Sequence, residues 1–139
     1  MRERRRTLAP GERQAMDKTI CRHIEQLGAY RRARRVALFL DFDGEPSITL
    51  LPERTAGRGK QFFAPVLNGT AIHFRAIARG AGYYDQCFAF LHRRNLSFRP
   101  KLVGVGYCFQ EVAALPRDPW DVPLWGVVCE RGFRARHAS

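Results

Sequence analysis

The run Arg79-Gly80-Ala81-Gly82-Tyr83-Tyr84-Asp85-Gln86 carries the residues of this sequence best suited to chemistry. Two close glycines let backbone N–H groups approach an anion with no Cβ in the way. Arg79 adds a cation beside them, and Asp85 offers a hard oxygen of the kind Mg²⁺ takes. These are the parts of a phosphate-and-magnesium site. A plain tight turn whose two tyrosines begin a buried helix would use the same residues, and the run alone does not choose between the two.

The rest of the chain bounds the possibilities. With 139 residues, 45% hydrophobic and 12% aromatic, it is long enough to bury the core of one domain without staples. No apolar run approaches the roughly 20 residues of a membrane span. The basic start Met1-Arg2-Glu3-Arg4-Arg5-Arg6 leads into a charged helical segment rather than the apolar stretch of a signal peptide. Cys21, Cys87, Cys108 and Cys129 lie far apart, as do His23, His73, His92 and His137. That spacing predicts reduced thiols in a cytoplasmic protein, with neither a zinc site nor disulfides. The formal charge of +11, from 24 basic against 13 acidic residues, favours an anionic partner: nucleic acid, a nucleotide or a polyanionic small molecule. Solvated helix faces and fraying ends account for much of the same excess, which sits in Arg2 to Arg6, Arg31 to Arg35 and Arg131 to Arg136.

The elements that must position the glycine run alternate in type. Pro10 and Gly11 open an amphipathic helix in which Ala15, Met16, Ile20, Ile24 and Leu27 recur at helical spacing up to Gly28. Val36 to Leu40 reads as a strand buried on both faces, ending in Asp41 and Gly44. Ile48 to Arg58 is loosely helical and interrupted by Pro52. Gln61 to Val66 and Ile72 to Ile77 read as strands, Cys87 to Leu91 as a helix, and Leu102 to Tyr107 and Val127 to Cys129 as further strands, with frayed residues beyond Arg131. The alternation predicts an α/β three-layer sandwich with a mostly parallel central sheet.

Leu38-Phe39-Leu40-Asp41-Phe42-Asp43-Gly44 resembles the first motif of haloacid-dehalogenase-type phosphatases, with Asp41 as nucleophile and Asp43 as acid/base. Glu45 stands where that family has threonine, and Asp118 and Asp121 follow Pro116 rather than a strand. A wider resemblance covers nearly the whole chain. Arg4-Arg5-Arg6-Thr7-Leu8 before Pro10-Gly11-Glu12, Phe39 to Glu45 followed by Gly59-Lys60 and Pro65-Val66-Leu67, Arg79 to Gln86, and Val103 to Tyr107 with Gln110, Leu115-Pro116, Trp120 to Leu124 and Val127-Val128 stand in the order of the 5-formyltetrahydrofolate cyclo-ligase family. That family is also called methenyltetrahydrofolate synthetase.

The resemblance implies a Rossmann-like (NagB/RpiA-like) fold and a ligase that uses ATP and Mg²⁺ to convert 5-formyltetrahydrofolate to 5,10-methenyltetrahydrofolate. The γ-phosphoryl group would pass to the formyl oxygen, nitrogen 10 would attack the activated carbon, and phosphate would leave. By family position Arg79, Gly80, Ala81, Gly82, Tyr83 and Tyr84 would bind ATP, with Arg79 and Tyr84 at the reacting phosphate; the family's first nucleotide-contacting cations lie upstream of anything matching Arg2, and Arg4 is the expected ATP-binding cation at this end of the chain. Asp85 and Asp121 would hold the metal, and Glu45 and Leu40 would face the folate. The implied protein is a cytoplasmic monomer with no membrane partner and no nucleic acid. A basic polyanion-binding module, using exposed aromatics such as Phe98 or Trp120, is the third reading.

Departures from the family are specific. Ala81 replaces a usual glycine and Gln86 a usual arginine. Family members carry several dozen more residues between the strand matching Ile72 to Ile77 and the glycine loop, including a core strand. Here Phe74-Arg75-Ala76-Ile77-Ala78 runs directly into Arg79-Gly80. Loss of an interior parallel strand predicts unpaired backbone groups and an exposed apolar seam.

Overall fold

The computed structural model describes residues 1–68, 71–77, 83–84, 101–113 and 124–136, with side chains for residues 1–65 and for the last two of these stretches. The chain opens with helix α1 (Arg2–Arg6) and helix α2 (Pro10–Gln26). Pro10 occupies the first turn of α2, where its missing N–H costs nothing, and Ala9 supplies no side-chain cap. Asp17, Ile20, Cys21 and Ile24 form the buried stripe of α2 at the spacing a single helix face requires. Helix α3 (Gly28–Arg32) follows. Its carbonyl end is closed by Lys60, whose Nζ donates to the carbonyls of Tyr30, Arg31 and Ala33, the last at 2.6 Å, and lies 4.6 Å from the Tyr30 ring centre. Burial pushes the Lys60 ammonium below its ordinary value, aided by Arg58.

Two sheets follow. Strand β1 (Arg35–Ala37) pairs in parallel with β2 (Gln61–Asn68), and the short helix α4 (Leu51–Arg54) lies in the connection. Strand β2 pairs antiparallel with β3 (Ala71–Ile77), which pairs antiparallel with β4 (Tyr83–Tyr84). The second sheet has β5 (Val103–Val105) parallel to β6 (Gly126–Cys129), and β6 antiparallel to β7 (Gly132–Ala135). The architecture is α/β, but the described sheets are mixed rather than mostly parallel. Strands β1 and β5 are both sheet edges.

Three expectations change. The run Val36 to Leu40 is not buried on both faces: Arg35 and Ala37 are exposed and only Leu38 is fully inside. Among the described residues β1 has a neighbour on one side alone. The tail beyond Arg131 is not frayed through Ala135, because β7 pairs with β6 and seats Phe133 against Trp125, ring centres 4.8 Å apart. Tyr83 and Tyr84 start no helix; they extend along β3, with Tyr84 opposite Ala76. The expected helix from Cys87 to Leu91 lies outside the described residues. Leu102, Leu124 and Val127 near the second sheet are exposed.

One core joins both sheets. Ile20, Cys21 and Ile24 of α2 pack in a cluster with Tyr30, Leu38, Ile48, Leu51, Phe62, Tyr107 and Val128. Close packing of the second sheet gives a direct test at Gly126, where an added Cβ would meet the Phe133 ring and lie 2.6 Å from the Arg134 carbonyl. Gly126→Ala is expected to destabilise the fold by about 1–3 kcal/mol in urea unfolding. Gly11→Ala, in open space on α2, should be neutral or stabilising by up to about 1 kcal/mol.

Candidate functional site

The loop after β1 is built around a sharp turn. Asp43 and Gly44 both have positive φ (54° and 77°), and the Glu45 N–H donates to the Phe42 carbonyl at 3.1 Å. Two successive left-handed residues are what a type I′ turn requires, and Asp-Gly is a favoured pair for it. Gly44 is also needed for space: a Cβ there would sit 3.1 Å from the Arg5 backbone carbon. The turn therefore packs directly on α1.

Charge fastens that contact. Arg2 and Arg6 both donate to the Asp43 carboxylate, and Arg5 stands 3.9 Å from it. Burial alone would push the Asp43 carboxyl up, but the hydrogen bonds from Arg6 and Arg2 prevail and hold it below the usual aspartate range. Arg5 also stands 4.0 Å from Glu45 Oε1, while Glu45 Oε2 accepts from the Phe42 N–H at 3.2 Å. Glu45 is thus held at the turn with much of its side chain open to solvent. Leu40 and Phe42 beside it are exposed, Phe42 by 74%. A carboxylate framed by exposed apolar groups can accept N–H donors from a flat heterocycle and cover its face.

A second feature lies on the neighbouring side of α1. Arg4, Thr7, Leu8, Glu12, Met16, Cys108, Phe109, Glu130 and Arg131 line a cavity of about 580 Å³. The Arg4 guanidinium lies 4.5 Å from the Phe109 ring centre. Phe109 is carried by a 3₁₀ turn (Cys108–Gln110), whose side-chain and backbone bonds between Tyr107 and Gln110 fix its start. The Cys108 N–H donates to the Glu130 carboxylate at 2.9 Å, and Glu130 O meets His23 Nε2 at 3.2 Å.

Contrary to the expectation of four reduced thiols, Cys108 and Cys129 are disulfide-bonded, with Cα atoms 5.5 Å apart. Their separation of 21 residues hid this, yet Cys129 ends β6 and Cys108 follows the same end of its partner β5. The register Val105↔Val128 brings them there. Cys108, Cys129 and Glu130 offer ligand atoms within 4.8 Å of one another, but sulfurs bonded to each other are not thiolate ligands. Cys21 is free and buried, and burial pushes its thiol up to about 11.

Sequence reasoning also missed the buried pair Asp17 and Tyr107. The Tyr107 hydroxyl donates to Asp17 Oδ1 at 2.8 Å, and the Ser47 backbone donates to the same carboxylate. Burial pushes the Asp17 carboxyl above its usual range against these bonds and the nearby Arg13. A lone carboxylate on the apolar stripe of α2 was the available signal. Of the expected site residues, Glu45, Leu40 and Arg4 are placed as above, and Tyr83 and Tyr84 lie on β4. Arg79, Gly80, Ala81, Gly82, Asp85 and Asp121 lie outside the described residues.

Comparison with known proteins resolves the family. The family model described as 5-formyltetrahydrofolate cyclo-ligase matches residues 1–77 and 74–130. The chain belongs to the 5-formyltetrahydrofolate cyclo-ligase family. A cyclo-ligase of Haemophilus influenzae is 23% identical over 177 positions, covering 92% of each chain, and one of Escherichia coli is 24% identical, covering 92% of this chain and 95% of that one. The 5,10-methenyltetrahydrofolate synthetase of Mycoplasma pneumoniae has the same fold, with a TM-score of 0.70 at 18% identity and 93% coverage of both chains. That of Aquifex aeolicus gives 0.71 at 19% identity, over 99% of this chain and 90% of its own.

This cyclo-ligase family member lacks an internal segment. The two parts of the family match meet at residues 74–77, and an alignment of 177 positions exceeds the 139 residues available. The phosphatase reading is not favoured. Asp43 is clamped by two guanidinium groups and Asp41 accepts from Ser47 Oγ at 2.9 Å, so an acid/base role for Asp43 would require breaking its ion pairs. The polyanion-binding reading is not favoured either: Arg2, Arg6, Arg54 and Arg134 are engaged with Asp43, Glu25 and Glu111, and Lys60 with carbonyls.

The ion pairs at Asp43 predict a pH signature. A carboxyl whose folded pKa is depressed contributes stability above its ordinary value near 4, and that stability is lost as pH falls through the folded value. The amide signals of Arg5 and Gly44 should stay native through the ordinary aspartate range and change only below it. Asp43→Asn should already show the undocked signals at neutral pH and lack the transition.

Proposed function

We propose that this chain carries out the ATP- and Mg²⁺-dependent closure of 5-formyltetrahydrofolate to 5,10-methenyltetrahydrofolate, releasing ADP and phosphate, as a cytoplasmic monomer. The observation that carries this reading is the family match on both sides of the gap, with the Glu45 turn and the Arg4 cavity built on one short helix. Glu45 would accept hydrogen bonds from the amino and ring N–H groups of the pterin, with Leu40 against its face. Arg4 and Phe109 would offer a cation and a ring to the nucleotide, and the cavity is of ligand size.

Arg79, Gly80, Ala81, Gly82, Tyr83 and Tyr84 would surround the phosphates, with Arg79 and Tyr84 nearest the transferred group. Phosphoryl transfer asks for positioning and charge neutralisation more than for a protein nucleophile. Asp85 and Asp121 are hard oxygen donors of the kind Mg²⁺ prefers, and they would hold it; when bound, the ion would neutralise charge on the phosphate oxygens. Transfer of the phosphoryl group to the formyl oxygen lets nitrogen 10 close the ring and phosphate depart.

The finer fold follows from the two free edges. Among the described residues, strands β1 and β5 are each paired in parallel on one side only. We infer that the segment absent here supplies a parallel strand between them in longer relatives. Strands β2, β1, the added strand, β5 and β6 would then form the mostly parallel centre of a three-layer, Rossmann-like sandwich.

The test is ADP release that depends on 5-formyltetrahydrofolate. Glu45→Gln, which keeps the shape but removes acceptor charge, is expected to raise the KM for the folate by about tenfold or more, the equivalent of one charged hydrogen bond, and to leave the KM for ATP within about twofold. An equal effect on both substrates, or none on either, would remove Glu45 from the folate site.

A further inference from the structure

We propose that Cys108 and Cys129 form a thiol–disulfide exchange site, acted on by a dithiol reductant, that sets the affinity of the adjoining cavity for its nucleotide. The inference rests on the reading of that cavity as the ATP site. The bond joins the first residue of the 3₁₀ turn to the last residue of β6. The next residue of that turn is Phe109, whose ring lies against the Arg4 guanidinium. Cys108 itself lines the cavity.

Without the covalent tie, turn and strand are joined by weaker links: the Cys108 N–H to the Glu130 carboxylate at 2.9 Å and the Gly106 N–H to the Val128 carbonyl at 3.2 Å. Tyr107 stays anchored from the other side by Asp17 at 2.8 Å. Gln110 is also bonded back to Tyr107, so the part of the turn whose hold depends most on the disulfide is Cys108 and Phe109, and the side chain to move is Phe109. The Glu45 turn makes its contacts with α1 and is not tied to this bond. Loosening should weaken nucleotide binding and leave folate binding unchanged.

The step is a two-electron exchange. A thiolate of the reductant attacks the Cys108 sulfur, the bond to Cys129 breaks, and Cys129 leaves as a thiolate that takes up a proton. The second thiol of the reductant then attacks its own sulfur in the mixed disulfide and releases Cys108, which is protonated in turn. The protein gains two thiols and the dithiol becomes a cyclic disulfide. Buried Cys21 has its thiol held far from the thiolate form and takes no part.

The experiment poises the full chain in mixtures of reduced and oxidised dithiothreitol, alkylates the free thiols under native conditions, and maps the linked peptides. ATP affinity is then measured by calorimetry on each form, with circular dichroism confirming that both are folded. We expect a Cys108–Cys129 linkage that responds to the dithiol ratio and ATP binding about threefold to tenfold weaker in the reduced form, the range of a lost cation–π contact. The double variant C108S/C129S should bind ATP as the reduced form does and ignore the dithiol ratio. Equal ATP affinity in both forms, or absence of the linkage under oxidising conditions, overturns the inference while leaving the cavity as the ATP site. Failure of both folded forms to bind ATP overturns the nucleotide reading and this inference with it.

Discussion

The buried hydrogen bond from the Tyr107 hydroxyl to Asp17 is the constraint on which the rest of the structure hangs. Tyr107 follows β5 and is 2% exposed; Asp17 sits on the apolar stripe of α2. Each is a polar group that would be costly to bury alone, about 1–3 kcal/mol for an unmet partner, so each requires the other. Their bond locks the second sheet to α2, and the Ser47 backbone bond to the same carboxylate locks the loop from the first sheet to it as well. Ser47 Oγ continues the chain of contacts to Asp41, two residues before the turn that carries Glu45. A single carboxylate thus positions both the end of β5 and the loop that offers Glu45.

Helix α1 then couples the two halves of the site at closer range. Arg5 faces Asp43 and Glu45 while Arg4 faces Phe109 across the cavity wall. Neighbouring residues of one short helix thus serve different partners, so the Glu45 turn and the cavity share α1 as a common wall while each keeps its own contacts. Gly44 enforces this by allowing the turn to lie against Arg5 with no side chain between them. The ion pairs at Asp43 involve exposed arginines, and such pairs are individually weak; their value here is in fixing the register of α1 against the turn.

The sequence made the long helix and the main strands legible because their signals are local. The stripe through Met16, Ile20 and Ile24 and the apolar runs at Gln61 to Val66 and Val103 to Val105 read directly as elements. What escaped was set by which strands meet. Val36 to Leu40 is apolar enough for an interior strand, yet its exposure depends on which strands flank it, and among the described residues β1 has only β2 beside it. Cys108 and Cys129 come together through the parallel pairing of β5 and β6, and β7 exists because Phe133 finds Trp125. In the candidate site, Glu45 and Arg4 were proposed from order along the chain. Asp17, by contrast, has no meaning until Tyr107 is placed opposite it.

The chain belongs to the cyclo-ligase family yet lacks an internal segment of it, and among the described residues β1 and β5 are both sheet edges. The central claim is that the residues present still perform the ring closure. The most direct measurement follows the near-ultraviolet absorbance of 5,10-methenyltetrahydrofolate when the folded 139-residue chain, its mass verified, is mixed with 5-formyltetrahydrofolate, ATP and Mg²⁺. Product that appears only with all three components is the predicted result. A folded sample that binds both substrates and yields no methenyl product would contradict it, leaving the family's fold without its reaction.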